Sequence, residues 1–194
     1  MAIRKYEGPI QLVTSARDLE QAIQAINGQQ VVGLDTETKP AFRKGESYLP
    51  CLVQIATDST AFLFQLKRVD FSDALADVLE NPSVIKAGIG LADDLSDLNK
   101  VFPFEPRSIL DLSLVAQRNG IRQSSVRNLA GQFLGFRITK GASTSNWTNS
   151  KLTKRQIDYA ATDAWVCREL FLEFQQLGFL DSEGRSLEKA ANRP

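Results

Sequence analysis

The stretch VVGLDTETKP, residues 31–40, joins an apolar run to two carboxylates at the end of a predicted strand. Side chains alternate along a strand, so Asp35 and Glu37 are expected on one face, roughly 6.6 Å apart at about 3.3 Å per residue. Two carboxylates so placed repel each other unless a cation lies between them, and Mg²⁺ and Mn²⁺ are divalent ions that prefer oxygen ligands. The alternative is a pair of solvated carboxylates at a strand end, and this short pattern does not decide between the two.

A second candidate pair lies in YAATDAW, residues 159–165. Tyr159 and Asp163 are four residues apart in a predicted helix, 154–177, and therefore share one face of it. This places a hydroxyl and a carboxylate side by side. The alternative is a tyrosine that packs on the core beside an exposed aspartate.

Three aspartates compete in KAGIGLADDLSDL, residues 86–98. On a helical wheel at about 100° per residue, the leucines of this segment form a buried stripe and Asp94 lies at its border. Asp93 and Asp97 fall on the solvent side of the same wheel. Only Asp94 is placed to reach a cleft, so we predict it as a third metal ligand.

The composition excludes several kinds of catalytic site. The chain has 194 residues and no histidine, which rules out a Ser-His-Asp triad, a histidine general base and a His-ligated zinc site. The two cysteines form no disulfide framework and suit a reducing compartment, so a cytoplasmic location is expected. No apolar run reaches membrane-spanning length, and no membrane partner is expected.

The hydrophobic periodicity predicts a mixed α/β fold. Predicted strands cover 9–13, 30–37, 51–57, 60–66, 84–90 and 108–113, and predicted helices cover 14–28, 72–80, 91–102, 113–119, 125–134 and 154–177. A tight turn at 58–59 makes the third and fourth strands antiparallel, and the later alternation of strands and helices favours parallel strands with helices on both faces of the sheet. We predict a single domain, 1–194, with a core of 10–178 and a polar, frayed tail at 181–194.

Positive and negative charges are segregated along the chain. Residues 70–111 carry nine acids and three cations, whereas 112–157 carries eight cations and no acid. A polyanionic partner on one side of the molecule is one explanation of this partition, and a solvated basic face is the other. The cations of the second segment are Arg118, Arg122, Arg127, Arg137, Lys140, Lys151, Lys154 and Arg155.

Three segments together resemble the exonuclease motifs of the DEDD superfamily. LDTET around Asp35, GIGLADDLSDL around Asp94 and LTKRQIDYAATDA around Tyr159 and Asp163 follow the order and gaps of its tyrosine branch. That branch includes RNase D, the proofreading domain of bacterial DNA polymerase I and the Werner-type exonuclease domain. The similarity is greatest to the Werner-type domain, with STSNWTNSKLT before the last helix as a further match, and it spans residues 10–178.

The resemblance implies an RNase H-like fold and a two-metal hydrolysis, with Mg or Mn, that releases 5′-nucleotides from a nucleic-acid 3′ end. It implies that Asp35 bridges both ions and that Asp94 serves the second one. Glu37 and Asp163 would hold the ion that carries the attacking water. Tyr159 would orient the nucleophile, because a free pKa near ~10 makes a tyrosine a poor base at neutral pH.

Substrate contacts are expected from two loops and the start of the last helix. The residues of the first loop are Thr38, Lys39, Arg43 and Lys44, and those of the second loop and helix start are Lys140, Lys151, Lys154 and Arg155. We hypothesise that the polar loop 137–151 is a mobile flap that guides the strand by its phosphates. Trp147 in this loop either stacks on a base or anchors the loop to the body. Gln54, on the strand after the first loop, either supports the site or is structural.

The expected partner is a nucleic acid with a free 3′ end, DNA or RNA, and the Werner-type similarity favours DNA. The sequence leaves the protein partners of the chain unknown. The alternatives are an RNase D-like exoribonuclease that processes RNA 3′ ends, a catalytically silent nucleic-acid-binding module, and a protein-interaction domain that keeps only the fold. Retention of all five predicted site residues argues against the last two.

Overall fold

Six strands form one mixed sheet in the computed structural model, which describes residues 1–67 and 70–187. The strands are β1 (Ile10–Val13), β2 (Val31–Thr38), β3 (Pro50–Ala56), β4 (Ala61–Gln65), β5 (Ile85–Gly88) and β6 (Ile109–Asp111). Their order in the sheet is β1-β4-β3-β2-β5-β6. The helices are α1 (Ala16–Asn27), α2 (Ser72–Glu80), α3 (Leu91–Asn99), α4 (Leu112–Arg118), α5 (Val126–Leu129) and α6 (Lys154–Gln176), and a π-helical turn (Ala130–Leu134) follows α5.

The predicted α/β fold is confirmed, with one addition to its topology. β2, β3 and β4 pair in antiparallel fashion, and β5 and β6 extend the sheet in parallel from β2. β1 joins the other edge in parallel to β4, a long-range pairing that the local pattern did not indicate. The helix predicted at 125–134 is divided, because α5 passes into the π-helical turn, a deviation that is frequent near functional sites.

Helices cover both faces of the sheet because the side chains of β2 alternate between the faces. Val32 and Leu34 belong to one apolar cluster with residues of α1, α2 and α3. Val31 belongs to another cluster with residues of α4 and α6. Two separate apolar layers thus enclose the central strand.

Gly33 lets α6 lie directly against β2. A Cβ atom at this position would be 1.8 Å from the carbonyl oxygen of Ala164 in α6, far closer than van der Waals contact allows. Asp35 and Glu37 follow Gly33 on the same side of the strand and therefore face the same helix. Because Gly33 has no side chain, Asp35 and Glu37 can lie close to α6.

The long helix α6 begins and ends close to its predicted limits. The Thr153 hydroxyl accepts a hydrogen bond from the Gln156 backbone, and the Gln156 side chain accepts one from the Thr153 backbone, which completes a capping box. Gly178, with φ of 70°, follows the end of the helix. Although α6 has 23 residues, neither it nor any other helix in the described part of the chain is long and apolar enough to cross a membrane.

The described part of the polar tail is folded rather than frayed. Asp181 pairs with Arg185 at 2.8 Å, and Leu180 forms a β-bridge with Ser186. These local contacts turn the chain back on itself, so the expectation of a frayed tail is wrong for 181–187. Residues 188–194 lie outside the described residues.

Candidate active site

Three carboxylates meet where α6 crosses β2. Asp35 and Glu37 come from β2 and Asp163 from α6, and one carboxylate oxygen of each lies within 4.8 Å of the others. Glu37 is 8 % exposed and Asp163 is 5 % exposed, so this three-carboxylate cluster is largely removed from water. The fold brings together two motifs that are distant in the sequence.

Burial and mutual repulsion raise the pKa values of the carboxyl groups in the cluster. Burial, followed by the charges of Asp163 and Asp94, holds the pKa of Asp35 well above its ordinary value. Burial and the charge of Asp35 raise the pKa of Glu37 to about 10, and burial raises the pKa of Asp163 to about 7. The fold therefore gathers more negative charge than the neighbouring side chains offset, which is the electrostatic condition for a cation site.

Tyr159 and Arg127 offset part of this charge. Burial has the largest effect on the pKa of Asp163, and the hydrogen bond of Tyr159 and the charge of Arg127 oppose it. Burial and then the charge of Asp163 raise the pKa of Tyr159 far above its ordinary value, so the hydroxyl keeps its proton at neutral pH. In the sequence, Arg127 is one cation of the basic segment 112–157. No sequence pattern predicted that its charge acts on Asp163.

Asp94 stands beside the cluster rather than within it. It lies in the first turn of α3, next to the hydroxyl of Thr36, and its charge contributes to the raised pKa values of Asp35 and Glu37. Burial raises the pKa of Asp94 itself to about 6. Asp94 is thus within electrostatic reach of Asp35 and Glu37, whereas Asp93 of the same helix turn is exposed.

Asp111, at the end of β6, holds α3 in place. Its two carboxylate oxygens accept hydrogen bonds from the backbone N–H groups of Gly90 and Leu91, at 3.2 and 3.1 Å, where α3 begins. Gly90 has φ of 71°, the left-handed conformation that turns the chain from β5 into α3. No local sequence pattern predicts this support of α3, because the contact joins segments that only the pairing of β5 with β6 brings together.

The three-carboxylate cluster fits a divalent metal ion. All of its ligand atoms are carboxylate oxygens, the donors that Mg²⁺ and Mn²⁺ prefer. Among the described residues, Asp163 Oδ1 is buried without a hydrogen-bond partner, which leaves an oxygen available to a ligand. A cavity of about 190 Å³ is lined by Asp35, Glu37 and Asp163, so the oxygens border open space rather than packed side chains.

Gln54 occupies the core beside the cluster. It is the cross-strand partner of Asp35 in the β2–β3 ladder, and its side chain is fully buried. Neither of its amide atoms has a hydrogen-bond partner within 1–67 and 70–187. A buried polar group without a hydrogen bond lowers protein stability by roughly 1–3 kcal/mol, so packing alone does not explain a glutamine at this position. That Gln54 supports the carboxylates from β3 stays a prediction.

The loop after β2 presents an aromatic ring as well as cations. The expected contact residues are Thr38 and Lys39, which are partly buried, and Arg43 and Lys44, which are exposed. Phe42 is 79 % exposed and lies next to the two exposed cations. An exposed ring among cations is typical of base stacking in single-strand binding. Phe42 was not among the residues predicted to contact the substrate, although a large aromatic residue inside a basic loop was the available signal.

Trp147 anchors the polar loop 137–151 and does not offer its ring to a base. It is 1 % exposed, and its ring centre lies 6.1 Å from that of Tyr159. It packs in an apolar cluster with Leu52 and Leu63 of the sheet. Base stacking by Trp147 is therefore wrong, because burial leaves no free ring face, and the alternative of a loop anchor is correct.

The same packing attaches the polar loop 137–151 to the body, and the guidance of a strand by this loop stays a hypothesis. Ile138 and Ala142 of the loop are also buried, and Gln156 donates a hydrogen bond to the Asn146 carbonyl at 3.2 Å. Apolar residues spaced between the small polar ones fix the loop at several points. The cations of the loop and of the start of α6 remain exposed: Arg137, Lys140, Lys151, Lys154 and Arg155.

Known proteins resemble this chain over most of its length. A family model described as 3′–5′ exonuclease matches residues 10–178. Ribonuclease D of Sphingobium indicum is 30% identical over 165 residues, which cover 82% of this chain and 42% of that protein. The bifunctional 3′–5′ exonuclease/ATP-dependent helicase WRN of Mus musculus is 32% identical over 154 residues, which cover 76% of this chain and 11% of that protein. The chain therefore spans less than half the length of these curated relatives.

A solved structure shows the same fold. The crystal structure of the Aedes aegypti Nibbler EXO domain superposes with a TM-score of 0.79 at 23% sequence identity, and the alignment covers 91% of each chain. The matched region, 10–178, contains both β2 with its carboxylates and α6 with Tyr159 and Asp163. By this match the chain belongs to the 3′–5′ exonuclease family of the DEDD superfamily.

Proposed function

We propose that the chain is a metal-dependent exonuclease that hydrolyses the terminal phosphodiester bond at a nucleic-acid 3′ end and releases a 5′-nucleotide. The observation that carries this proposal is the convergence of Asp35, Glu37 and Asp163 at the crossing of β2 and α6, with Asp94 beside them. Membership of the exonuclease family supports the reaction. The presence of every predicted ligand argues against a catalytically silent module.

Four carboxylates are proposed to hold two divalent ions, Mg²⁺ or Mn²⁺. Asp35 would be shared between the ions, Glu37 and Asp163 would hold one of them, and Asp94 would serve the other. When bound, the ions supply positive charge that offsets the anionic phosphate, and they activate water for attack. The chain contributes fixed oxygen donors in a poorly solvated site, where their interaction with cations is stronger than in water.

Tyr159 is proposed to orient the attacking water and not to act as its base. Burial raises the pKa of the Tyr159 hydroxyl far above neutrality, so this group is a hydrogen-bond donor under working conditions. The hydroxyl is next to Asp163, one of the ligands assigned to the ion that serves the water. Positioning is therefore the role that its protonation state permits.

An end-labelled single strand tests the proposed reaction. Incubation with the protein and Mn²⁺ is expected to give a ladder that shortens from the 3′ end, and EDTA is expected to abolish it. A gel shift without cleavage would instead identify a binding module, and neither cleavage nor binding would identify a protein-interaction domain.

The choice between DNA and RNA requires a matched comparison. The Werner-type similarity favours DNA, and the similarity to Ribonuclease D supports RNA to a comparable extent. Since the 2′-hydroxyl is the group that distinguishes the two, strands of identical sequence should be digested side by side. A higher kcat/KM for the RNA strand would favour the RNase D-like alternative.

Asp94→Ala is expected to lower the cleavage rate at least about a hundredfold, because loss of a ligand group removes several kcal/mol of charge stabilisation. Asp93→Ala is the matched control and should change the rate less than about twofold, since Asp93 is exposed beside the same helix turn. The initial rate in Mn²⁺ is the measurement, with circular dichroism to verify folding. Similar losses in the two folded variants would contradict the assignment of Asp94.

A further inference from the structure

A second cavity adjoins the three-carboxylate cluster at Tyr159 and Asp163. It has a volume of about 600 Å³, within the usual range of ligand sites. Tyr159 and Asp163 line both this cavity and the smaller one beside the carboxylates. A molecule bound in the larger cavity would therefore reach the site of the proposed chemistry.

The N-terminal segment, residues 2–7, forms one wall of the cavity. It lies before the region matched by the exonuclease family model, which begins at residue 10. The backbone N–H of Arg4 donates to the Arg137 carbonyl at 2.8 Å, and the backbone N–H of Arg137 donates to the Ala2 carbonyl at 2.8 Å. These bonds pair the segment with the beginning of the loop 137–151.

Side-chain contacts fix the same segment along α6. Lys5 pairs with Asp158 at 2.8 Å, and the backbone N–H of Tyr6 donates to the Thr162 hydroxyl at 3.0 Å. The Tyr6 ring lies 5.9 Å from that of Trp165. Positions 158, 162 and 165 form one stripe of α6, so the segment follows the helix in a defined register. The wall is a packed part of the structure.

The cavity is bordered by cations on two sides. Arg4 and Lys5 belong to the N-terminal segment, which also brings Glu7 to the cavity, and Lys154 and Arg155 belong to the first turn of α6. Lys5 and Lys154 both contact Asp158, at 2.8 and 3.0 Å, so one carboxylate is shared by two ammonium groups. Arg4 lies over the Phe136 ring, and neither it nor Arg155 has a carboxylate partner in the described ranges.

We propose that this cavity is a subsite for the backbone phosphates of the substrate strand next to the scissile bond, with Arg4 and Lys5 among its phosphate-binding side chains. The inference rests on the proposed exonuclease function and extends it to a segment outside the matched family region. The cations are spread over two walls instead of converging on one point, an arrangement that suits successive phosphates of a strand better than the single phosphate of a released nucleotide. Such contacts position a strand without reading its bases.

The test compares Arg4→Gln/Lys5→Gln with Lys100→Gln/Arg107→Gln, which removes two exposed cations elsewhere on the surface. KM and kcat are measured with a dinucleotide and an octanucleotide at several salt concentrations. For the first variant we expect KM for the octanucleotide to rise about tenfold, with kcat unchanged. The slope of log KM against log salt should fall by roughly 1.4, since each lost single-strand phosphate contact removes about 0.7. The dinucleotide, which has one internucleotide phosphate, should show little change.

A charge-conserving variant, Arg4→Lys/Lys5→Arg, separates loss of charge from loss of folding and should keep KM near the wild-type value. An octanucleotide KM and salt slope equal to those of the Lys100/Arg107 control would overturn the proposal. If Arg4→Gln/Lys5→Gln changed only the inhibition by added mononucleotide, the cavity would be a product site and the proposal would also be overturned. If the wild-type protein cleaves no strand, the exonuclease proposal fails, and fluorescence anisotropy of the same labelled octanucleotide still tests whether Arg4 and Lys5 bind it.

Discussion

Asp35→Asn is expected to abolish nearly all cleavage while making the metal-free protein more stable. Asp35 is the carboxylate assigned to both ions, so its loss should remove about 4 kcal/mol or more of charge stabilisation, which corresponds to roughly a thousandfold in rate. Burial and the charges of Asp163 and Asp94 hold the pKa of Asp35 well above its ordinary value. Asparagine has nearly the same shape without the charge, so it relieves this repulsion.

The stability gain has a defined pH dependence. A carboxyl group with a raised pKa in the folded state binds more protons there than in the unfolded chain, so it lowers stability as pH rises above its ordinary value of 3.8. The free energy of unfolding of Asp35→Asn should therefore exceed that of the wild type by about 1 kcal/mol or more at pH 8, which corresponds to roughly 2–4 °C in Tm. This difference should shrink toward pH 4.

Thermal unfolding in EDTA and cleavage rates in Mn²⁺ are the two measurements for Asp35→Asn. Asp77→Asn, at an exposed aspartate of α2, is the matched control and should change neither quantity appreciably. Asp163→Asn should behave like Asp35→Asn, because burial also raises the pKa of Asp163, to about 7. Wild-type cleavage rates in both cluster variants would show that the carboxylates are not the catalytic centre.

Gly33→Ala is expected to destabilise the protein by about 3 kcal/mol and to remove most activity from the molecules that remain folded. The new Cβ would lie 1.8 Å from the Ala164 carbonyl oxygen and 2.9 Å from the Arg168 nitrogen, both of which are backbone atoms that cannot rotate away. β2 and α6 must separate by more than about 1 Å, and overpacking of this kind costs roughly 1–3 kcal/mol or more. The same separation moves Asp35 away from Asp163, and a displacement of about 1 Å can cost a hundredfold in rate.

Gly28→Ala is the matched control for Gly33→Ala. Its Cβ would meet nothing closer than 3.6 Å, and Gly28 has φ of −77°, which alanine adopts without strain. Its effect on stability should be within about 1 kcal/mol and its activity unchanged. Urea unfolding gives the free energies, and rates are compared at a temperature where both variants are folded. A Gly33→Ala protein as stable as Gly28→Ala would mean that α6 does not rest on β2 as described.

Much of the candidate site is predictable from local patterns. The alternation after Val31 places Asp35 and Glu37 on one face, and the four-residue spacing of Tyr159 and Asp163 places them together on α6. The leucine stripe of α3 distinguishes Asp94 from its neighbours. Each of these signals lies within one element, where the strand or helix period alone decides which way a side chain points.

The sequence by itself determined most of the strands and helices, the faces of β2, α3 and α6 that carry the predicted site residues, and through the three motifs the family. Only the tertiary structure decided which surfaces meet: β1 in parallel with β4, α6 resting on Gly33, and the N-terminal segment beside α6. It also decided between the two roles left open for Trp147, because the ring is buried and anchors the loop 137–151. The physical reason is that periodicity records which face of an element is apolar, whereas the partner of that face depends on close packing between residues far apart in the chain.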